Sequence, residues 1–316
     1  MRILFFGTPD FAVPSLEALV ASPHTVVGCI TQPDRPSGRG HRIVAPPVKS
    51  RAAAHSLRVW QPERLRDEVL LADLRRSEPD LGVVAAYGKI LPESVITLPR
   101  LGTINVHASL LPAWRGASPV QHAVMAGDRE TGVTIMRIVK ELDAGPMFAY
   151  RVRPIGPDET AGAVEADLAR LGAGLLVEVI DAIDAGTAAE REQDHSRATY
   201  APRLVKDDGR LDWTQPASTL RNRVRGLQPW PLAYTWLGPT RTALLDVRPA
   251  GDVTGSTVEP GTVTDARPDR FAVAAGGRTE LEILELRPEG KRTMSSREFL
   301  AGHRVVPGMR FGPQPT

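Results

Sequence analysis

Two residues in the stretch TINVHASLLPAWRG, 103–116, have types and spacing suited to chemistry: Asn105 and His107. On an extended strand side chains alternate between faces, so these two point the same way, while Ile104, Val106 and Ala108 take the other face. If the strand ends here, the pair stands at its carboxyl edge, where open α/β sheets bind ligands. Either residue alone reads better as a hydrogen-bonded group closing a strand. The two together, followed by a loop with proline and arginine, favour chemistry. Asp143, in the turn of VKELDAGPMF, is a third candidate. An aspartate beside glycine is ordinarily a turn former. This one follows the run GVTIMRIV, which is expected to neighbour the Asn/His strand, so its carboxylate is within reach of His107.

An amide and a protonated imidazole are donors that can hold a developing oxyanion, and a carboxylate can fix the ring and balance its charge. No serine or cysteine nucleophile accompanies them. Ser109 is close in sequence but lacks the G-x-S-x-G elbow. The attacking group is therefore expected from a substrate, and an amine would serve. The resulting reaction is acyl transfer between two bound partners, with no covalent intermediate on the enzyme. A metal is not expected: asparagine is a poor ligand, and His24, His41, His55, His122, His195 and His303 are scattered.

The surrounding elements alternate strand and helix. RILFF and TVVGCI are short apolar runs of the kind buried on both faces of a parallel sheet, with PSLEALVAS as the helix between them. VKSRAAAHS, RVWQP, RDEVLLADLRRS, DLGVVAAYG and GTINVHAS continue the alternation, which predicts a doubly wound, mostly parallel Rossmann-like sheet. GVTIMRIV and MFAYRVRPI follow with little between them, so the far edge is expected to be antiparallel. A helix over roughly 159–185 closes the catalytic domain, 1–188. The polar, aperiodic stretch around 189–204 reads as a linker. Residues 205–316 carry short strand-like runs between Gly, Pro and Asp turns, the pattern of an OB-like β-barrel domain. The first turn, FFGTPDF, lacks the G-x-G-x-x-G cradle for a dinucleotide.

The chain has 316 residues, 42% apolar and 24% charged, and one cysteine, Cys29, in an apolar run. A disulfide framework and a thiolate cluster are excluded. No run approaches membrane-spanning length, and the first apolar run is too short for a signal-peptide core, so the protein is expected in the cytoplasm. Net charge is +2 overall but uneven: residues 1–200 hold 22 basic and 24 acidic residues, residues 201–316 hold 17 and 13. Arg35, Arg39, Arg42, Lys49 and Arg51 face one acid, Asp34, within 32–51. A basic loop and a basic C-terminal segment point to a polyanionic partner.

The motifs GTPDFAVPSLEAL, TQPDRPSGRG, VVAAYGKILP, INVHASLLPAWRGASPVQ, TGVTIM and LDAG occur in order, followed by YAPRLVKDDGRLDW, NRVRGLQPWP and REFLAGHRVVPGMRFG. In this set the chain closely resembles the methionyl-tRNA formyltransferase family of folate-dependent formyltransferases, over nearly its whole length. The resemblance implies formyl transfer from 10-formyltetrahydrofolate to the α-amino group of methionine on initiator tRNA, with Asn105, His107 and Asp143 as the catalytic trio. It implies tetrahydrofolate contacts from Ser109, Leu110, Leu111 and Pro112, and a pterin pocket along 86–92 that includes Gly88 and Ile90. Leu110, Leu111 and Ile90 are equally readable as core. The loop at 32–49 corresponds to one that reaches the tRNA acceptor arm, with Arg39 as its key residue beside Arg35 and Arg42. The C-terminal barrel corresponds to a tRNA-binding domain, with Arg203, Lys206, Arg221, Arg223, Arg225, Lys291, Arg292 and Arg304 as phosphate-contact candidates. The family suggests a monomer. Two places depart from its pattern: Ala113 stands where an arginine is common, and His41 and Arg42 where two lysines are usual. A nucleotide-sugar amine formyltransferase, a 10-formyltetrahydrofolate hydrolase and a non-catalytic RNA-binding module are the rival readings.

Overall fold

The apolar runs RILFF, TVVGCI and GVVA become the buried centre of a seven-stranded sheet. Its order is Met147–Pro154, Glu130–Arg137, Thr103–His107, Leu81–Ala85, Arg2–Gly7, Thr25–Ile30, Val59–Trp60. The last five are mutually parallel. Glu130–Arg137 runs antiparallel to Thr103–His107, and Met147–Pro154 antiparallel to Glu130–Arg137, forming the expected far edge. The computed structural model describes residues 1–37, 42–252 and 258–312.

Chain order reverses at Arg2–Gly7. The chain leaves one side of that strand toward Val59–Trp60 and returns on its other side to Leu81–Ala85. Such a switch point opens a crevice at the carboxyl ends of the strands. Here it is bridged by Thr8, whose hydroxyl donates to the Tyr87 carbonyl at 2.9 Å. Helix Glu68–Arg76 begins at Asp67, whose carboxylate accepts from the amides of Val69 and Leu70 and satisfies two otherwise orphaned donors. Helix Ala161–Asp184 covers the face opposite Asn105 and His107. At Gly172 the backbone comes so close that a Cβ would sit 2.8 Å from Val106 and 2.9 Å from Val133. Cys29 is fully buried and its burial pushes the thiol up to about 12, in keeping with a small apolar residue.

Contacts divide the chain into two compact units. The first comprises Met1–Pro119, Glu130–Pro154 and Glu165–Pro202; the second comprises Val120–Arg129, Ile155–Val164 and Arg203–Thr316. In the second unit an antiparallel sheet runs in the order Val263–Arg267, Arg270–Ala275, Thr279–Pro288, Thr240–Asp252, Ala233–Leu237, Phe311–Gly312. The sheet curls until its two ends meet. The Val263 amide donates to the Met309 carbonyl at 2.8 Å, and the Phe311 amide to the Gly261 carbonyl at 2.8 Å. Closing a sheet removes its exposed edges. Phe271, Ile283 and Phe311 fill the interior, together with Leu220 and Val224 of helix Ala217–Gly226. This is the OB-like barrel expected from the turn-rich pattern. Among the described residues no helix is long and apolar enough to cross a membrane.

Two segments differ from their sequence reading. The basic stretch at 32–49, read from sequence as a loop, carries a short ladder in which Arg35–Ser37 pairs antiparallel with Arg42–Val44. A three-residue ladder survives beside prolines because Pro36 sits on an edge, where a missing N–H costs little. The polar stretch expected as a linker is bonded to the first unit. Arg191 and Met147 exchange two backbone hydrogen bonds, at 2.8 and 2.9 Å. Tyr200–Ala201 pairs parallel with Arg115–Gly116.

The barrel seam depends on one glycine. Gly261 sits at φ +88°, and a Cβ there would lie 2.3 Å from the Phe311 carbonyl oxygen. Gly261→Ala is expected to destabilise the protein by about 1–3 kcal/mol, read as a lower urea midpoint. An unchanged midpoint would mean that the seam contributes nothing.

Candidate active site

His107 ends its strand at the carboxyl edge of the sheet, with its imidazole 5% exposed. Both ring nitrogens face oxygen. Nε2 lies 3.1 Å from the Trp114 carbonyl oxygen, and Nδ1 lies 3.8 Å from Asp143 Oδ2. The first is within hydrogen-bond distance; the second is a carboxylate facing the ring at a separation too long for a hydrogen bond. Asn105, two residues earlier, is half-buried, and its amide is not taken up by any hydrogen bond within the described residues.

The residues that supply these two oxygens sit in unusual backbone geometry. Trp114 has φ +60° and Asp143 φ +48°. The left-handed region is tolerable for aspartate and a real outlier for tryptophan, and such geometry persists only where neighbours over-determine it. They do here. Asp143 Oδ2 accepts from the Gly116 amide at 2.8 Å. The Trp114 amide donates to Thr199 Oγ1 at 2.9 Å, and the Arg115 amide to the Thr199 carbonyl at 2.8 Å. Two buried side chains complete the bracing. Arg115 and Gln193, each 4% exposed, bond to one another, and Gln193 also reaches the loop that carries Asp143.

The segment between His107 and Trp114 is held from beneath by Thr134. Its hydroxyl donates to the Ser109 carbonyl at 2.7 Å and accepts from the Leu111 amide at 3.3 Å. Ser109 is fully buried, and its hydroxyl donates to the Ala113 carbonyl at 2.6 Å. That hydroxyl is committed to the fold. Leu111 is buried, while Leu110 and Pro112 are half-buried.

A cleft of about 730 Å³ lies along residues 89–93, 96–97, 64–66 and 138–140. Leu65, Leu91, Ile96, Ile138 and Val139 give it apolar walls; Arg64, Arg66, Lys89 and Lys140 bring positive charge against Glu93. Ile90, readable from sequence as core, is 90% exposed and lines this cleft. Gly88 is exposed in the turn leading to it, at φ +87°. Among the described residues, no group of three or more histidine, cysteine and acidic side chains is arranged to hold a metal ion.

The basic candidates fare unevenly. Arg35 is exposed on the short hairpin, and the backbone of Arg42 lies in the partner strand; Arg39 and His41 lie outside the described residues. In the second unit Lys206, Lys291, Arg203 and Arg304 are exposed. Arg292 is exposed but pairs with Glu298 at 2.7 Å, and that hydrogen bond is the main cause holding the Glu298 carboxyl down at about 2. Arg223 is half-buried, donating to the Asp208 carbonyl at 2.5 Å, and Arg221 pairs with Asp158. Arg225 is not a surface cation at all. It is 9% exposed and donates to the carbonyls of Gly156 and Glu159, so its role is structural.

Sequence reasoning missed Arg115, Gln193, Thr199 and Thr134. A glutamine and a threonine in a polar stretch carry no periodic signal, and only the parallel pairing of 200–201 with 115–116 draws them in.

Residues 1–180 match the family model of formyl transferases, and residues 203–304 that of the formyl transferase C-terminal domain. The methionyl-tRNA formyltransferase of Methylococcus capsulatus is 47% identical over 315 residues, covering 99% of this chain and 100% of its own. That of Solibacter usitatus is 46% identical over 312 residues, covering 99% of each. Among solved structures, the sugar 3N-formyl transferase WlaRD aligns with a TM-score of 0.66 at 14% identity, over 92% of this chain and 99% of that one. HypX from Aquifex aeolicus in complex with tetrahydrofolic acid aligns with a TM-score of 0.61 at 18% identity. This chain is covered to 98% and spans about half the length of HypX. At these identities the solved structures speak for the fold alone.

Gly145 sets the Asp143 turn. A Cβ there would lie 2.1 Å from the Arg137 carbonyl oxygen. Gly145→Ala is expected to displace the turn at a cost of about 1–3 kcal/mol and to shift the NMR resonances of the His107 imidazole. An unmoved imidazole signal would mean that the turn does not set the environment of the ring.

Proposed function

The chain belongs to the methionyl-tRNA formyltransferase family, and on that footing we propose that it transfers a formyl group from 10-formyltetrahydrofolate to the α-amino group of methionyl initiator tRNA. The observation that carries this reading is a site built of donors and charge without a nucleophile. Asp143 faces His107, Asn105 lies two residues before it on the same strand, and the Ser109 hydroxyl is spent on the Ala113 carbonyl. The attacking atom must then come from a substrate.

In this reading the methionyl nitrogen attacks the formyl carbon of the co-substrate. A new N–C bond forms, the bond from the formyl carbon to the folate nitrogen breaks, and the proton lost by the amine ends on that nitrogen. Asn105, whose amide is uncommitted, donates to the oxyanion. His107 adds the positive charge of its imidazolium, and Asp143 balances that charge and fixes the ring. Because Nε2 already faces the Trp114 carbonyl, His107 acts through charge first, and as a direct donor only by giving up that bond.

The donor molecule fits the cleft along 89–93 and 138–140. Apolar walls suit a flat ring, and Arg64, Arg66, Lys89 and Lys140 suit the carboxylates of a folate tail. Gly88, Ile90, Leu110 and Pro112 are assigned to the same co-substrate, with the buried Ser109 and Leu111 shaping the segment that presents Leu110 and Pro112. For the tRNA acceptor arm we assign Arg35, Arg39 and Arg42 of the inserted loop and Lys206, Arg223, Lys291 and Arg292 of the barrel unit. Phosphate contact by Arg292 requires it to leave Glu298. The protein would act as a monomer, without a metal, in the cytoplasm where initiation occurs.

Purified protein mixed with 10-formyltetrahydrofolate and methionyl initiator tRNA, beside a tube with a nucleotide-linked amino sugar, tests this by mass spectrometry. Formyl is expected on the methionine alone. Formyl on the sugar, or only free formate, would overturn the acceptor assignment. Asn105→Ala is expected to lower kcat by about 10²–10³; a loss under about tenfold would remove the oxyanion role. Affinity for tRNA should fall steeply between roughly 50 and 200 mM salt, and a flat dependence would count against the barrel unit as the phosphate-binding surface.

A further inference from the structure

We infer that Gln193 is a positioning residue of the active site, holding in place the two loops that supply both oxygens facing His107. Residues 181–202 fall between the two family-model matches, which end at 180 and resume at 203. Yet this segment carries one of the most deeply buried polar side chains near the site. Gln193 Oε1 accepts from Arg115 Nε at 3.2 Å and Nη2 at 2.7 Å. Its Nε2 donates to the Asp143 carbonyl at 2.9 Å and the Gly145 carbonyl at 2.8 Å. Guanidinium only donates and carbonyls only accept, so the orientation of the amide is fixed by its partners.

The consequence is mechanical. Asp143 and Trp114 both hold left-handed backbone, and each places an oxygen on one side of the imidazole. Gln193 grips the backbone of Asp143 directly, and grips Arg115, the residue after Trp114. One amide therefore ties together the supports of both acceptors. Without its donors the Asp143 and Gly145 carbonyls lose these partners, the latter in a buried position, and the left-handed turn keeps the Gly116 amide bond to Asp143 Oδ2 but loses its second tie. Thr199, through the Trp114 amide, braces the second loop from the same segment.

The inference rests on the formyl-transfer reading for its kinetic arm, and its spectroscopic arm stands without it. Gln193→Glu keeps the acceptor for Arg115 and removes the N–H donors; Gln193→Met removes both and serves if the charged variant does not fold. In the full-length protein, kcat for formyl transfer is expected to fall about 10- to 100-fold, as for a misplacement near 1 Å. KM for both substrates should stay within about twofold, and the melting temperature within a few degrees. The His107 imidazole resonances should move in the same variants. An unchanged kcat, a rise in KM alone, or unmoved imidazole resonances would each overturn the assignment. Wild-type protein that forms no formylmethionyl-tRNA would instead sink the functional reading, and the imidazole resonances would still decide the role of Gln193.

Discussion

An imidazole caught between two acceptors is the constraint around which the first unit is arranged. His107 is nearly sealed from solvent, with a main-chain carbonyl at one nitrogen and a carboxylate facing the other. In water a ring so placed would simply hydrate. In a buried site the charge of Asp143 is less screened than in water, and the ring has few ways to turn. The sheet delivers His107 to its carboxyl edge, but the sheet delivers neither oxygen. Both come from loops in conformations that an isolated peptide would avoid.

This divides the work between regular and irregular structure. Parallel strands with apolar residues on both faces fix Asn105 and His107 relative to the backbone, and the helix over Val106 and Val133 prevents that strand from shifting. The loops 109–118 and 143–147 then need their own supports. Those supports are polar and buried: Thr134, Arg115, Gln193 and Thr199. A fully satisfied buried network specifies one arrangement and is costly to leave half-made, which is what a site demanding close tolerance requires.

The sequence carried the sheet and the pairing of Asn105 with His107, because both rest on local periodicity. A period of two puts 105 and 107 on one face whatever the tertiary context, and short apolar runs between amphipathic helices leave few architectures. The curled barrel was also readable, from strand-like runs of even spacing between turn residues. What lacked a local signature was not readable. ASTLRNRVRG offers a thin apolar stripe, Ala217, Leu220 and Val224, so its helix depends on packing against the barrel interior. Ile90 reads as core because isoleucine is usually buried, and its exposure reflects the cleft beside it. Arg225 reads as a surface cation, and its burial depends on carbonyls 66 and 69 positions away in the chain. Gln193 belongs to the same class: its meaning lies entirely in three partners distant in sequence.

The first unit is not continuous in the chain. The strand pair that joins 115–116 to 200–201 cannot form until residue 201 exists. During synthesis, at about 5–20 residues per second, the strand bearing Asn105 and His107 is complete several seconds before the segment that braces its loops. The site thus has an order of birth: the residues assigned to the chemistry come first, and part of the segment that braces their loops comes last.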